Sequence, residues 1–224
     1  MNTFVIIPAL NEGQRIATVV EQVRQRYPQV VVIDDGSDDG TGMTAAQAGA
    51  IVLTHEINRG QGASLKTGIV YALEHDAEAI VTFDADGQHN ADDIDRLLQP
   101  IQDGRADIVL GSRFLENTAE NMPLLRKVML RAAVIFTRFA SGLNVTDTHN
   151  GLRALTRDAA HRIKIHQDRM AHASEILDEI NRNQLRFVEV PVTIHYSAYS
   201  TEKGQSTMAF GKVLFKYIIG RLMR

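Results

Sequence analysis

Thr82-Phe83-Asp84-Ala85-Asp86-Gly87-Gln88-His89 is the point at which an apolar run ends abruptly in carboxylates, and its reading decides the fold. Residues 79–83 have the continuous apolar character of a buried strand in a parallel sheet, which puts Asp84 and Asp86 at the strand's carboxyl end. Open α/β sheets bind ligands at that edge. Alternation along an extended chain points Asp84 and Asp86 the same way and turns Ala85 to the other side. Two carboxylates converging in a cleft repel each other, and a divalent cation bridging to phosphate oxygens is the usual remedy. Gly87 permits a tight turn, and Gln88 offers a neutral oxygen ligand. A lone Asp-x-Asp more often caps a helix. Here Asn90 is the better N-cap for a helix expected to begin near Ala91, with Asp92 and Asp93 favouring the dipole of its first turn.

Outward from this stretch, residues 4–7 read as the first strand, and Ile16, Val19, Val20 and Val23 then recur at helical spacing. Pro8-Ala9-Leu10-Asn11-Glu12-Gly13 is therefore a strand-to-helix loop. Residues 30–33 form a second strand running into the turn-rich Asp34-Asp35-Gly36-Ser37-Asp38-Asp39-Gly40-Thr41, where Asp38 and Asp39 read as a solvated Asx-type turn. A third strand over 50–54 leads through Asn58-Arg59-Gly60-Gln61-Gly62 to a helix with Leu65, Ile69, Ala72 and Leu73 inward. Ile94, Leu97, Leu98 and Ile101 make the stripe of the helix behind the central strand. Three strand-helix units with right-handed crossovers form a Rossmann-like nucleotide-binding half. It lacks both GxGxxG and GxxxxGK[ST], which disfavours NAD enzymes and P-loop kinases. Acidic groups stand instead at three strand ends: Glu12, Asp34 with Asp35, and Asp84 with Asp86. Carboxylates accept hydrogen bonds from a ribose diol or a base N–H, whereas the last pair needs a metal to face a diphosphate.

The second half opens with a strand over 107–111 that ends in Ser112-Arg113-Phe114. Residues 122–143 read as a helix carrying Arg126, Lys127, Arg131 and Arg138 among apolar residues. Long cations snorkelling over a buried stripe are the commoner meaning of that pattern, and a cradle for an anionic, greasy acceptor is the functional one. A polar loop over 146–153 enters a short strand near Ala154, and a helix over 174–183 and a strand over 186–195 complete the core. The tail, 206–224, sets Phe210, Val213, Leu214, Tyr217, Ile218 and Leu222 among Lys212, Lys216, Arg221 and Arg224. This is an amphipathic helix for a membrane surface, for an oligomer interface such as a homodimer's, or for its own domain. The expected organisation is a single domain over 1–205 followed by that helix, with 196–206 the best place for a mobile loop.

With 224 residues, 44% of them apolar and 23% charged, the chain is ordinary globular material. The absence of Cys excludes thiolate metal sites and cysteine nucleophiles and suits a reducing compartment. A formal net charge of −3 disfavours nucleic acid as a partner. The N-terminus has no basic region and only a short apolar run before Pro8, so it reads as a strand and not a signal peptide. No run of about 18 apolar residues is present to span a bilayer.

Taken together, Pro8-Ala9-Leu10-Asn11-Glu12, Asp34-Asp35-Gly36-Ser37, Asn58-Arg59-Gly60-Gln61-Gly62, Asp84-Ala85-Asp86-Gly87-Gln88-His89, Gly111-Ser112-Arg113-Phe114 and Asp147-Thr148-His149-Asn150-Gly151-Leu152-Arg153 resemble a family 2 glycosyltransferase of the GT-A fold. The similarity is greatest to the dolichyl-phosphate mannose synthase-like and other polyprenyl-phosphate sugar transferases. The resemblance implies an α/β fold with a mixed, mostly parallel sheet and helices on both faces. It implies Mg2+ or Mn2+ on Asp84, Asp86 and Gln88, with the Asp84-Ala85-Asp86 stretch at the nucleotide. Pro8, Asn11, Glu12, Asp34 and Asp35 would bind the nucleoside, and Arg113 and Arg126 the acceptor phosphate. The loop with Asp147 would order over the acceptor. Many such relatives continue into transmembrane helices; in this chain only the tail would touch a membrane, giving a cytoplasmic protein or one peripheral on the inner face of the plasma membrane. Leu152 stands where Phe is frequent, and residues 158–172 fit the family poorly.

The expected reaction is inverting transfer from a UDP- or GDP-sugar to a polyprenyl phosphate or to a lipid-linked or cell-surface polysaccharide. Lys66, early in its helix, is a candidate to assist the diphosphate, set against the commoner exposed helix lysine. A phosphate acceptor, with a second pKa of about 6, is already a nucleophile. A sugar hydroxyl would need a base, for which Asp147 and then Glu175 or Asp178 are candidates. Rival readings are a nucleotidyltransferase, against which the acidic loop 8–13 counts, and a nucleotide-sugar-binding scaffold without turnover. His89 is placed near the metal and His149 in the acceptor loop; the other six histidines are scattered without ligand spacing.

Overall fold

The computed structural model describes residues 1–115, 119–120, 142–148 and 150–195. The basic helix over 122–143, with Arg126, and the tail over 206–224 lie outside the described residues, apart from 142 and 143, which are not helical. So do His149 and the loop expected over 196–206.

Seven strands make one sheet: β1 (Thr3–Ala9), β2 (Gln29–Asp34), β3 (Ile51–Thr54), β4 (Ala79–Thr82), β5 (Ile108–Ser112), β7 (Arg153–Thr156) and β8 (Phe187–Pro191), in the order β3-β2-β1-β4-β7-β5-β8. A two-residue pair, β6 (Ala119–Glu120) with β9 (Ile194–His195), stands apart. β7 runs antiparallel to both β4 and β5, and all other pairings in the large sheet are parallel. The six described helices are α1 (Ile16–Arg24), α2 (Thr41–Gln47), α3 (Gln61–Glu74), α4 (Asp93–Gln102), α5 (Arg157–Arg162) and α6 (His172–Arg182).

Alternation along β1 divides the core. Val5 and Ile7 join Ile16, Val19, Val20 and Val23 of α1 and Ile94, Leu97 and Leu98 of α4 on one face. Phe4 and Ile6 join Leu65, Ile69 and Ala72 of α3 and Ile176, Leu177 and Ile180 of α6 on the other. Each such side chain contributes roughly 1.5–3 kcal/mol on burial. Helices cover both faces, as the unbroken apolar strands require.

Register then aligns the loops. Ala9 lies opposite Asp34, and Ile6 opposite Thr82, so the segments after β1, β2 and β4 leave the sheet at one edge. Pro8 is tolerated in this central strand because the Ile6 carbonyl accepts from Phe83 N–H, and by alternation Pro8 faces the same side past the end of β4, where no donor is needed. Because β7 runs antiparallel, it begins where β4 and β5 end, so residues 150–152 arrive at the same edge.

Strand ends shift by a residue or two from the sequence reading, and three differences have a clear local cause or bear on the site. Asn90 Oδ1 accepts from Asp92 N–H at 3.0 Å in a turn, and α4 starts two residues later than expected, at Asp93. Helix α6 starts at His172 and not at 174. The strand expected over 186–195 is broken in two, because Pro191 offers no N–H and the Thr193 N–H donates to Asp93 Oδ2 at 2.7 Å, away from any ladder.

Candidate functional site

The carboxyl edge collects the six loops that the sequence singled out, and hydrogen bonds tie them to one another. Asn11 sits in the left-handed region at φ 54°, its N–H donates to Ser37 Oγ at 3.0 Å, and its Oδ1 accepts from Asp38 N–H at 3.1 Å. Glu12 is buried, with its N–H on Thr41 Oγ1 at 2.9 Å. Asp34 accepts from Ser37 and Gly42 N–H at 2.9 and 3.1 Å. Asp39 makes the expected turn by accepting from Thr41 N–H, and it also accepts from Gly13 N–H at 2.8 Å.

Asp35 binds the next loop. It accepts from Arg59 N–H at 3.0 Å and Gly60 N–H at 2.7 Å, and His55 Nδ1 lies 2.7 Å from its Oδ1. The other nitrogen of His55 is 3.0 Å from Thr67 Oγ1 on α3. Burial would raise the Asp35 carboxyl, but the His55 contact and the two amide donors outweigh it and hold the group below the ordinary range. Asp34 and Asp35 thus shape the loops expected to hold a nucleoside, and their remaining lone pairs are what they offer a ligand.

The central carboxylates do not follow the extended-chain alternation expected of them, because the chain turns at 85–86. They converge all the same. Asp84 Oδ1 accepts from Gln61 Nε2 at 3.0 Å, and His89 Nε2 lies 2.9 Å from Asp84 Oδ2. Burial opposes the Asp84 charge, but His89, Arg153 and His172 prevail and hold its carboxyl low. Asp86 is pushed up by burial and then by the Asp84 charge. Gln88 is turned onto Asp86, with its N–H and its Nε2 donating to the two oxygens at 3.0 and 2.6 Å, so it orients that carboxylate. Arg15 donates to the Asp86 carbonyl at 3.3 Å. Ala85 is buried in the core.

Gly151 closes the site from the β7 side. A Cβ there would fall 2.3 and 2.4 Å from the Asp84 oxygens, so only glycine permits this approach. Beside it, Arg113 and Asp147 are paired: Asp147 Oδ2 accepts from Arg113 Nε at 2.6 Å and Arg113 N–H at 3.1 Å, with both side chains buried. Glu189 on β8 supports that loop by accepting from Thr146 N–H at 2.8 Å and Asp147 N–H at 3.1 Å. Burial raises the Glu189 carboxyl, which those donors only partly offset.

Two expectations need correction. Lys66 is exposed on the outer side of α3, in a groove with Ile69, Leu73, Ile163 and Lys164, and the fold does not turn it to the carboxylates. Asp147, expected as a base, has a guanidinium on one oxygen, and Glu175 accepts from His166 and Gln167 N–H, which gives it a loop-holding part. Sequence reading missed His55, Gln61, Arg153 and Glu189 as site residues. Gln61 and Arg153 stood inside the quoted motifs, His55 stands directly past a strand end, and Glu189 is the lone charge in the strand Phe187–Pro191. Among the described residues no three His, Asp or Glu gather as a metal site by themselves.

The family model Glycosyl transferase family 2 matches residues 4–164. The chain is 33% identical over 238 residues to UDP-N-acetylglucosamine–dolichyl-phosphate N-acetylglucosaminyltransferase of Methanococcus voltae, covering 96% of this chain and 94% of that one. It is 34% identical over 204 residues to polyprenol monophosphomannose synthase of Mycolicibacterium smegmatis, covering 85% and 76%. Glucosyl-3-phosphoglycerate synthase of Mycobacterium tuberculosis, crystallised with Mn2+ and UDP-glucose, superposes with a TM-score of 0.72 at 18% identity, covering 94% and 74%, a likeness of fold alone. A sheet edge built of these loops, and a family match across most of the chain, place the protein in glycosyl transferase family 2 as a glycosyltransferase of GT-A fold.

Proposed function

We propose that this protein moves a hexose, with inversion, from a nucleoside-diphosphate sugar to a polyprenyl phosphate. The observation that carries this reading is the meeting, at one sheet edge, of Asp84 and Asp86 with the buried Arg113–Asp147 pair. The relatives named for dolichyl phosphate and polyprenol support the acceptor.

Two carboxylates and a nearby amide suit Mg2+ or Mn2+ whose remaining positions are filled by phosphate oxygens and water, and the like charge that raises Asp86 is what a cation would relieve. Bound there, the cation would neutralise charge growing on the departing diphosphate. The chain's own residues do the rest. Gln61 and His89 fix Asp84, and Gln88 fixes Asp86. The loops around Asn11, Glu12 and Asp35 hold the nucleoside. Asp147 aims Arg113 at an acceptor phosphate, whose oxygen attacks the anomeric carbon as the bond to the diphosphate oxygen breaks and its electron pair leaves with the nucleotide. A phosphate dianion needs no base, which agrees with a ligated Asp147.

No helix among the described residues is long and apolar enough to cross a membrane. We assign membrane contact at the cytoplasmic face to the tail, 206–224, with closure of a homodimer as its other use. The test of the whole reading is thermal-shift screening of UDP and GDP with Mn2+ or Mg2+, followed by turnover of the matching sugar donors on polyprenyl phosphate. Stabilisation by one nucleotide and metal-dependent sugar transfer are expected. Failure to release nucleoside diphosphate from any UDP- or GDP-sugar would leave the scaffold reading in its place.

A further inference from the structure

Arg153 opens β7 between Thr82 of β4 and Leu110 of β5, and it is only 4% exposed. Burial lowers the pKa of its guanidinium, and the charges of Asp84 and Asp147 offset that only in part. Neither carboxylate is hydrogen-bonded to it. Asp84 takes Gln61 and His89, and Asp147 takes Arg113. Among the described residues the Arg153 guanidinium has no hydrogen-bonded partner and no ion pair within 4.0 Å. Five N–H donors on a buried, permanently charged group are expensive to leave without acceptors. Asn150, in the same loop, is a second case: its Oδ1 accepts from Leu152 N–H at 3.0 Å, but its buried Nδ2 has no acceptor. A loop with orphaned donors beside a charged cleft calls for a ligand rich in acceptor oxygens and bearing negative charge.

We propose that Arg153 binds a phosphoryl group of a substrate at the transfer site. This rests on the glycosyltransferase reading and adds to it a residue that has no role in the sequence analysis. The planar fork matches two phosphoryl oxygens at once, which a lysine could not do. Two sources share that chemistry, the donor diphosphate and the acceptor phosphate. Arg153 as mere counter-charge to Asp84 and Asp147 is the competing account, and it predicts equal damage to ligands with and without phosphate.

The experiment compares wild type, Arg153→Gln and Arg153→Lys for binding of uridine, guanosine, UDP, GDP and inorganic pyrophosphate with Mn2+, and for KM and kcat on polyprenyl phosphate. Arg153→Gln is expected to lose roughly tenfold or more, the worth of a charge-assisted hydrogen bond, with Arg153→Lys recovering part. Loss in pyrophosphate and nucleoside diphosphate affinity, with nucleoside binding kept, identifies the donor as the source. A raised KM for polyprenyl phosphate at unchanged nucleotide affinity identifies the acceptor. Wild-type values for pyrophosphate, nucleotide and polyprenyl phosphate, or equal losses for nucleoside and nucleotide, overturn the proposal. Should the Gln variant not fold, the Lys variant decides, since wild-type behaviour without the fork overturns it equally. Protein that binds pyrophosphate through Arg153 and transfers no sugar would sustain the phosphoryl site and overturn the glycosyltransferase reading alone.

Discussion

Asp86 and Gly151 are the residues whose replacement separates chemistry from folding. Asp86 is held high by burial and by Asp84, so a neutral amide removes a repulsion along with a ligand. Asp86→Asn is expected to keep its melting temperature within a few degrees of wild type and to lose metal-dependent transfer; normal turnover would remove Asp86 from the metal site. Gly151→Ala places a methyl group 2.3 and 2.4 Å from the Asp84 oxygens, well inside van der Waals contact. Backbone or carboxylate must move, and forced overpacking of this kind costs roughly 1–3 kcal/mol. Lower stability and a loss of sugar transfer are expected together, read by thermal melts and by product formation; an alanine variant with full activity would show that the position of Asp84 is not critical. Both acidic residues were legible as a site because carboxylates at the end of an apolar strand have few other uses. Gly151 was legible only as part of a motif, since its reason lies across the sheet, 67 positions away in sequence from Asp84.

At the scale of elements, β8 and the loop before β7 act as one piece through Glu189. Glu189→Gln keeps the shape but weakens the acceptor for the Thr146 and Asp147 N–H groups. Removing a charge that burial and Asp147 disfavour offsets the weaker acceptor, so only a small change in stability is expected, with the Arg113–Asp147 pair loosened and the KM for polyprenyl phosphate raised. Kinetics on the acceptor, with nucleotide binding as the control, would check it; an unchanged KM would mean that the loop holds itself. The strands and the inner stripes of α1 and α4 were readable from periodicity. The starts of α4 and α6 and the break at Pro191 were not, because each is set by a hydrogen bond to a residue remote in the chain or by a missing one.

At the scale of the whole molecule, Asp35, Asp39, Asp84 and Asp107 all have carboxyls held below the ordinary range. A depressed folded-state value contributes stability that is present above the unfolded value and lost as pH falls through the folded one. The melting temperature should therefore drop below about pH 4. For Asp35→Asn the expectation is a lower melting temperature at neutral pH and a shallower decline in acid; a decline as steep as wild type would show that Asp35 does not supply it. Raised groups such as Asp86 and Glu189 act in the opposite sense, gaining stability on protonation, and soften the loss. Deleting 206–224 is expected to weaken cosedimentation with anionic liposomes while sparing nucleotide binding; unchanged cosedimentation would dispose of the membrane role.

By itself the sequence determined the alternation of strands and helices, the acidic edge and the family, because burial pattern and loop chemistry are written in neighbouring residues. Only the tertiary structure decided that Asp147 closes on Arg113, that Gln88 holds Asp86, that Lys66 faces away, and that a guanidinium at position 153 waits beside Asp84. Those facts depend on which loops the parallel register and the single antiparallel strand bring to one edge, and a distance across a sheet has no signature along the chain.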